Sequence, residues 1–424
     1  MKNQVQDHIE KLADKFADDP ILNQWGSPNE LKNFFIENMN ELINKQFLKE
    51  REFYLNNTTD DKANGFCPER SFQIGTMPIN LTIPRSRNGF YPAILPKYQR
   101  FLADDYQELL YQIILGATSF SSALRTMKGL GFSYSKEQLE ELLKELEDQA
   151  NLFHSRPLDS DWFFIYMDAK IIDLADEKDN IKKAIHFIAV GISIEGYKEV
   201  LLNKVIWGRE SIDAWKKSFI DLKNRGVTRV LMILTDDFSG LTSLIKGLFP
   251  QTDHQLCMVH AFRNAYKHLS KEEYALFKQV FSEIYTSSSY DVAFDRFTSL
   301  CTTLEKNHSA YSKHLRGRAD HYLPFTQYPH DLWPYIRSTN LPEGMNNLIE
   351  TVKRNAGGHF HSEREMRIKM KIVIDRLHAK KWKKPIAKFK ANIHELTRMF
   401  NNRFEAEIEK IFHGYLLDCG NHKM

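Results

Sequence analysis

Two apolar runs, each ending on acid, constrain this chain more than any other feature. Phe163 to Lys170 reads Phe-Phe-Ile-Tyr-Met-Asp-Ala-Lys and delivers Asp168 at its end. Val230 to Asp237, Val-Leu-Met-Ile-Leu-Thr-Asp-Asp, repeats the pattern. Continuous apolar runs of strand length belong to strands buried on both faces of a parallel or mixed sheet, and groups at the carboxyl ends of such strands meet ligands. Two neighbouring strand ends would bring two carboxylates together. Like charges a few ångströms apart raise each other's pKa unless a cation sits between them. One reading is therefore a hard divalent ion with oxygen ligands, and with it phosphoryl transfer; the other is that both acids merely cap buried strands.

The rest of the chain is organised around these runs. Residues 1–60 show helical spacing at Leu31, Phe34, Phe35, Met39, Leu42 and Ile43, which predicts an N-terminal region of packing or dimer helices. Residues 61–95 alternate instead: Phe72, Ile74, Ile79, Leu81 and Ile83 flank Gly75-Thr76-Met77-Pro78. That predicts a β-hairpin with Arg85 and Arg87 on a basic tip suited to a DNA backbone. Over 96–155, three helical stretches separated by glycines predict a helix-turn-helix-like DNA-binding region, whose last helix is rich in acid (Glu137, Glu140, Glu141, Glu145, Glu147, Asp148).

Residues 156–252 read as α/β, with strands at 163–168, 184–193, 199–206 and 230–236 and a helix from Ser211 to Asn224. Three meandering strands, then a helix crossing to a strand beside the first, is the ribonuclease-H-like order, and it sets Asp168 next to Asp236. From 253 to 335 the pattern is helical and aromatic without strands, which predicts an insertion; helix returns over 336–380, and 381–424 reads as a basic, helical tail. The expected fold class is α/β: a ribonuclease-H-like mixed sheet with an all-helical insertion, preceded by a mainly helical DNA-binding region.

At 424 residues the chain exceeds one ordinary domain, and 42% hydrophobic with 27% charged residues is the balance of a globular protein. No apolar run approaches membrane-spanning length, and Met-Lys-Asn-Gln-Val-Gln-Asp-His lacks the apolar core of a secretion signal, so a cytoplasmic location is expected. Cys67, Cys257, Cys301 and Cys419 show no paired spacing, which argues against a disulfide framework. A net charge of +3 says little by itself. Its distribution says more: from Thr351 to Lys390, thirteen Lys or Arg face three acids, with Phe360, Trp382 and Phe389 interleaved. Lys353, Arg354, Lys380, Lys381, Lys383 and Lys384 make this a candidate phosphate-binding face, against the commoner fate of a solvated helix surface.

Glu343 opens the helical pattern at Asn340-Leu-Pro-Glu, where a capping box would also place a glutamate; Glu350, one heptad on, is a rival third carboxylate. Cys257 and His260 resemble half a zinc site, but no second pair at ligand spacing follows, so a buried structural contact is the expectation. Trp333 is a candidate for stacking on an unpaired base near the chemistry, with a core role as the alternative.

Taken together, Leu95-Pro-Lys-Tyr-Gln-Arg100, Tyr166-Met-Asp168, Asp221-Leu-Lys-Asn-Arg-Gly-Val227, Thr235-Asp-Asp-Phe-Ser-Gly240, Gln255-Leu-Cys-Met-Val-His260 and Ser338-Thr-Asn-Leu-Pro-Glu343 resemble the bacterial insertion-sequence transposases related to the Mutator elements, over essentially the whole chain. The resemblance implies an Asp-Asp-Glu triad of Asp168, Asp236 and Glu343 holding two Mg2+ or Mn2+ ions. Asp237 stands where that family usually has Gly. It further implies binding to terminal inverted repeats and target DNA, metal-dependent strand cleavage and strand transfer, a homodimer or larger homo-oligomer on DNA, association with the nucleoid, and no membrane or small-molecule cofactor. The rival functions are a nuclease of the same fold that never joins strands, and a non-catalytic DNA-binding repressor.

Overall fold

The computed structural model of the chain describes residues 27–58, 60–74, 77–93, 95, 104–130 and 135–404. Sequence expectations for residues before 27 and beyond 404, and for the turn at Gly75-Thr76, lie outside the described residues. The chain divides into two units, residues 1–139 and 140–424.

In the first unit, α1 (Pro28–Asn56) begins on Ser27, whose hydroxyl accepts the Glu30 N–H, with Pro28 in the first turn where a missing donor costs nothing. Four short strands follow: β1 (Ala63–Phe66), β2 (Arg70–Ile74), β3 (Met77–Leu81) and β4 (Pro84–Ser86). Strands β2 and β3 pair antiparallel with Phe72 opposite Ile79, and β1 pairs with β4. Phe47 of α1 is fully buried in a cluster with Phe72, Ile79, Leu81 and Ile83. The side-chain oxygens of Asn40 and Asn44 accept from Asn80 N (3.0 Å) and Thr82 N (2.9 Å), which pins the helix to the strand edge. Two helices follow, α2 (Asp104–Gly116) and α3 (Phe120–Gly129); α4 (Lys136–Ser155) leads into the second unit.

The second unit is built on a five-stranded mixed sheet in the order β7-β6-β5-β8-β9: β5 (Asp161–Ala175), β6 (Ile181–Ser193), β7 (Lys198–Trp207), β8 (Arg229–Thr235) and β9 (Asp253–Leu256). The first three meander antiparallel; β8 then runs parallel to β5, and β9 parallel to β8. Gly191 in β6 is required by packing, because a Cβ there would lie 2.5 Å from the Trp162 ring. Helix α5 (Ile212–Asn224), started by Ser211 accepting Ala214 N, makes the crossover to β8. It ends on Gly226, at φ 121° and with Leu158 O 2.4 Å from where a Cβ would stand, so the turn that launches β8 admits only glycine.

Both faces of the sheet are covered. Ile165, Met167, Val230 and Ile233 pack on one side with Trp215 and Phe219 of α5 and Ile245 of α6 (Leu241–Leu248). Phe164, Tyr166, Met232 and Leu234 pack on the other against a block of helices that runs to residue 336. Its longer members are α7 (Met258–His268), α8 (Lys271–Ile284), α9 (Tyr290–Glu305) and α10 (Ser309–Arg316). Burying each large side chain is worth about 1.5–3 kcal/mol, and alternation along β5 and β8 lets one strand stabilise two layers. Beyond the block come α11 (Asn340–Asn355), α12 (Glu363–Arg376) and the short α13 (Ala387–Ala391).

Four features differ from the sequence reading. Strand β5 runs on to Ala175, so Asp168 lies inside the strand and not at its end. Residues 253–256 form a strand of the sheet, so the helical block begins at Met258 and not at 253. The strand is four residues long and mostly polar, too short to show periodicity. The final helical stretch is broken at Gly357 and Gly358, with φ of 86° and 95°, and Phe360 returns as a bridge to Leu174. Finally, Phe389, Leu396, Phe400 and Phe404 are buried in the core beside Phe163 and Phe164, so this part of the chain is a structural element and not a tail.

Candidate active site

The register of β5 and β8 pairs Ile165 with Ile233 and Tyr166 with Leu234. Extended two residues, it sets Asp168 opposite Asp236, and pleat alternation puts both on the side of Tyr166 and Leu234. Asp168 is buried, 7% exposed. Its Oδ1 accepts from Ala169 N at 2.8 Å, and its Oδ2 accepts from Asn346 Nδ2 at 2.5 Å. Asn346 lies on α11 one turn after Glu343, so the helix that carries Glu343 is tied to the first acid. The side chain of Glu343 itself lies outside the described residues. The cap of α11 is Thr339, without a side-chain cap bond, so Glu343 is not at the third helical position that a capping box needs.

Asp236 meets a different set of partners. His260 Nδ1 makes an ion pair with Asp236 Oδ1. Asp236, Cys257 and His260 offer ligand atoms that all lie within 4.8 Å of one another. The bond to Asp236, then that to Cys257, draws the His260 imidazole up to about 10. Arg263 Nη1 stands 3.1 Å from Nε2. Thr339 donates to Cys257 Sγ from Oγ1 (3.1 Å) and N (3.4 Å), which fastens the start of α11 to the start of α7. Sequence spacing missed this grouping because it sought a second Cys/His pair, whereas the third member is the carboxylate ending β8.

The rival acids are otherwise engaged. Asp237 accepts from Arg318 Nε (2.8 Å) and Tyr322 OH (3.4 Å) and pairs with His314 Nε2 (3.0 Å), so it is bound to the helical block. Glu350 pairs with Lys170 (3.2 Å) and Lys353 (3.0 Å); burial opposes its ionisation, but these two lysines hold its carboxyl below the usual range.

The donor set fits divalent cations. Asp168, within β5, and Asp236, just past the end of β8, carry hard oxygens on neighbouring strands, and Asn346 Oδ1, turned away from the Asp168 carboxylate, is buried without a hydrogen-bond partner. Flipping that amide would aim oxygen at oxygen, so its orientation is fixed by Asp168.

The family model for the Mutator family of transposases matches residues 6–385. The chain belongs to that family. Relatives of this Mutator-family chain include the transposase for insertion sequence element IS905 of Lactococcus lactis, 27% identical over 78% of this chain and 85% of that protein. The transposase for insertion sequence element IS256 in transposon Tn4001 of Staphylococcus aureus is 26% identical over 75% of this chain and 82% of that protein. Among solved structures, the Drosophila P element transposase strand transfer complex aligns over 72% of this chain and 83% of that one at 13% identity, with a TM-score of 0.28, too low to carry any argument. No described helix is long and apolar enough to cross a membrane.

The transposase's candidate DNA contacts divide by exposure. Arg85 and Arg87 are exposed on and just after β4. Lys380, Lys381, Lys383 and Lys384 are exposed where α12 gives way to a π turn. Lys353 is paired with Glu350, and Arg354 Nη2 donates to Thr351 Oγ1 at 3.3 Å. Much of the basic excess is consumed internally: Arg364 binds Glu140 and Glu147, both at 2.7 Å, and Lys369 is fully buried against Glu365. Phe360 and Phe389 are wholly buried, so they stack on nothing outside the protein. Trp333 is 4% exposed and donates its indole N–H to Tyr328 O at 2.8 Å, a core role that removes it as a stacking platform.

Proposed function

We propose that this chain is a DNA transposase that binds the terminal inverted repeats of its own element, cuts there and joins the freed ends to target DNA. The observation that carries this reading is the parallel register of β5 and β8, whose extension past Tyr166 and Leu234 brings Asp168 level with Asp236, with α11 tied to Asp168 through Asn346. The strand order, three antiparallel strands followed by two parallel ones, supports a ribonuclease-H-like core. Asp168, Asp236 and Glu343 would hold two divalent ions, Mg2+ or Mn2+. Such ions, when bound, activate the attacking oxygen and stabilise the leaving one in an in-line displacement at phosphorus.

The chain's own residues position the carboxylates. Asn346 and the Ala169 N–H each hold one oxygen of Asp168, so its plane is fixed. His260 anchors Asp236 Oδ1 from the first turn of α7, and the Cys257–Thr339 contact keeps that helix in register with α11. Arg85, Arg87 and the Lys380–Lys384 group would take phosphates of the duplex. Action on the nucleoid as a homodimer or larger assembly belongs to the same reading.

The test that separates it from a nuclease of the same fold is joining. Given Mg2+, a pre-nicked end with a free 3′-hydroxyl and a plasmid target, the wild type should yield covalently joined product. Cleavage of intact ends without joining would favour the nuclease, and neither activity would favour a DNA-binding repressor.

A further inference from the structure

Gln255 shows what burial demands of an amide side chain. Its Nε2 donates to Leu256 O (2.8 Å) and Tyr322 O (3.0 Å), and its Oε1 accepts from Phe325 N (3.0 Å). Asn346 departs from that pattern. It is 7% exposed and its Nδ2 donates to Asp168 Oδ2, yet its Oδ1 has no hydrogen-bond partner. A carbonyl oxygen left alone in the interior costs free energy, so one that stands beside a candidate catalytic carboxylate calls for a partner from outside the chain.

Packing fixes this side chain where it stands. Met345, Ile349 and Val352 of α11 are buried, and Glu350, one turn past Asn346, pairs with Lys170, two residues past Asp168. Four residues of helix rise about 6 Å and two residues of strand about 6.7 Å, so the two links are in step and α11 lies along β5. Turning Asn346 off Asp168 would break the Lys170 pair as well. With its N–H committed to Asp168, Oδ1 of the same planar amide stays near that carboxylate.

We propose that Asn346 Oδ1 is a ligand of the divalent ion held at Asp168, a neutral oxygen added to the carboxylates. The ion itself comes from the transposase reading, on which this ligand rests. Hard cations take amide carbonyls as well as carboxylates, and a neutral donor adds to the shell without adding to the repulsion among acids in the empty site. One side chain then has two roles: its N–H holds the Asp168 carboxylate, and its carbonyl meets the ion.

The experiment titrates the full chain, without DNA, with Mn2+ and separately with Cd2+ by isothermal calorimetry. Asn346→Ala should bind Mn2+ about tenfold more weakly than wild type. Asn346→Cys should lose Mn2+ affinity to the same degree but bind Cd2+ about tenfold more tightly than Asn346→Ala, because a thiolate at this position would meet a soft ion. If the N–H alone matters, through its hold on Asp168, the two variants should be indistinguishable with both ions, and that result would overturn the proposal. Mn2+ affinity unchanged in Asn346→Ala would do the same. Should Asn346→Ala fail to fold, Cd2+ binding by Asn346→Cys against wild type decides: tighter binding supports the ligand and equal binding removes it. Binding also separates the two readings. A wild type that binds Mn2+ but neither cuts nor joins DNA would sink the transposase chemistry while the ligand stands; a joining wild type beside unchanged Mn2+ binding in Asn346→Ala would sink the ligand alone; a wild type that binds no Mn2+ would sink both.

Discussion

At the scale of single residues, what the sequence shows and what it hides divide by distance along the chain. Asp168 and Asp236 are legible because each ends its own apolar run. The side chains that decide their roles are not, because they arrive from far away: Arg318 reaches Asp237 across 81 positions and Asn346 reaches Asp168 across 178. The choice between Asp236 and Asp237 is likewise open until Arg318, His314 and Tyr322 are seen to occupy the latter. A buried histidine gives a further prediction at this scale. His186, fully buried in β6 with Nε2 2.5 Å from Asn203 Oδ1, is pushed down to about 4 by burial and further by Lys170, with Asn203 opposing. Its folded pKa lies below that of an unfolded histidine, so the unfolded chain takes the proton first as pH falls. The stability this residue secures is complete above about pH 6.5 and is lost toward pH 4, on the order of 3 kcal/mol. Urea unfolding at pH 7 and pH 5 should show His186→Gln losing less stability than wild type between the two; parallel losses would mean that the site does not titrate as described.

Among the elements, long periodic stretches could be read and short or interrupted ones could not. The strand at 253–256 carries four mostly polar residues, and only pairing with β8 makes it a strand. The basic segment looked like one charged surface because sequence gives charge without partners. In the folded chain, the acid-rich α4 supplies Glu140 and Glu147 to Arg364, which also accounts for acid on a helix that looked ill-suited to DNA. Among the side chains that remain exposed are Lys380, Lys381, Lys383 and Lys384, close together in sequence. If these replace counterions on a duplex, changing all four to Gln should reduce the slope of log affinity against log salt by about 0.9 for each phosphate no longer neutralised. Fluorescence anisotropy with a duplex probe from 50 to about 200 mM salt measures this. An unchanged slope would make the group a solvated turn.

Across the whole second unit, one sheet serves two layers, and the candidate site lies where they meet. Alternation along β5 and β8 sends Ile165 and Ile233 to the α5 side and Tyr166 and Leu234 to the helical block, so Asp168 and Asp236 emerge on the side that α7 and α11 also approach. Sequence supplied four of the sheet's five strands and their order; the fifth, and the convergence of α7, α11 and the block, come from contacts between segments far apart in the chain, which no local pattern encodes. The central claim is that Asp236, and not its neighbour, works with Asp168. Single-turnover cleavage of an end-sequence duplex in Mg2+ tests it most directly. Asp168→Ala and Asp236→Ala should bind the duplex as wild type does and cut at least a thousandfold more slowly (on the order of 4 kcal/mol in the barrier), while Asp237→Ala should still cut. Normal cleavage by Asp236→Ala beside a dead Asp237→Ala would contradict the account.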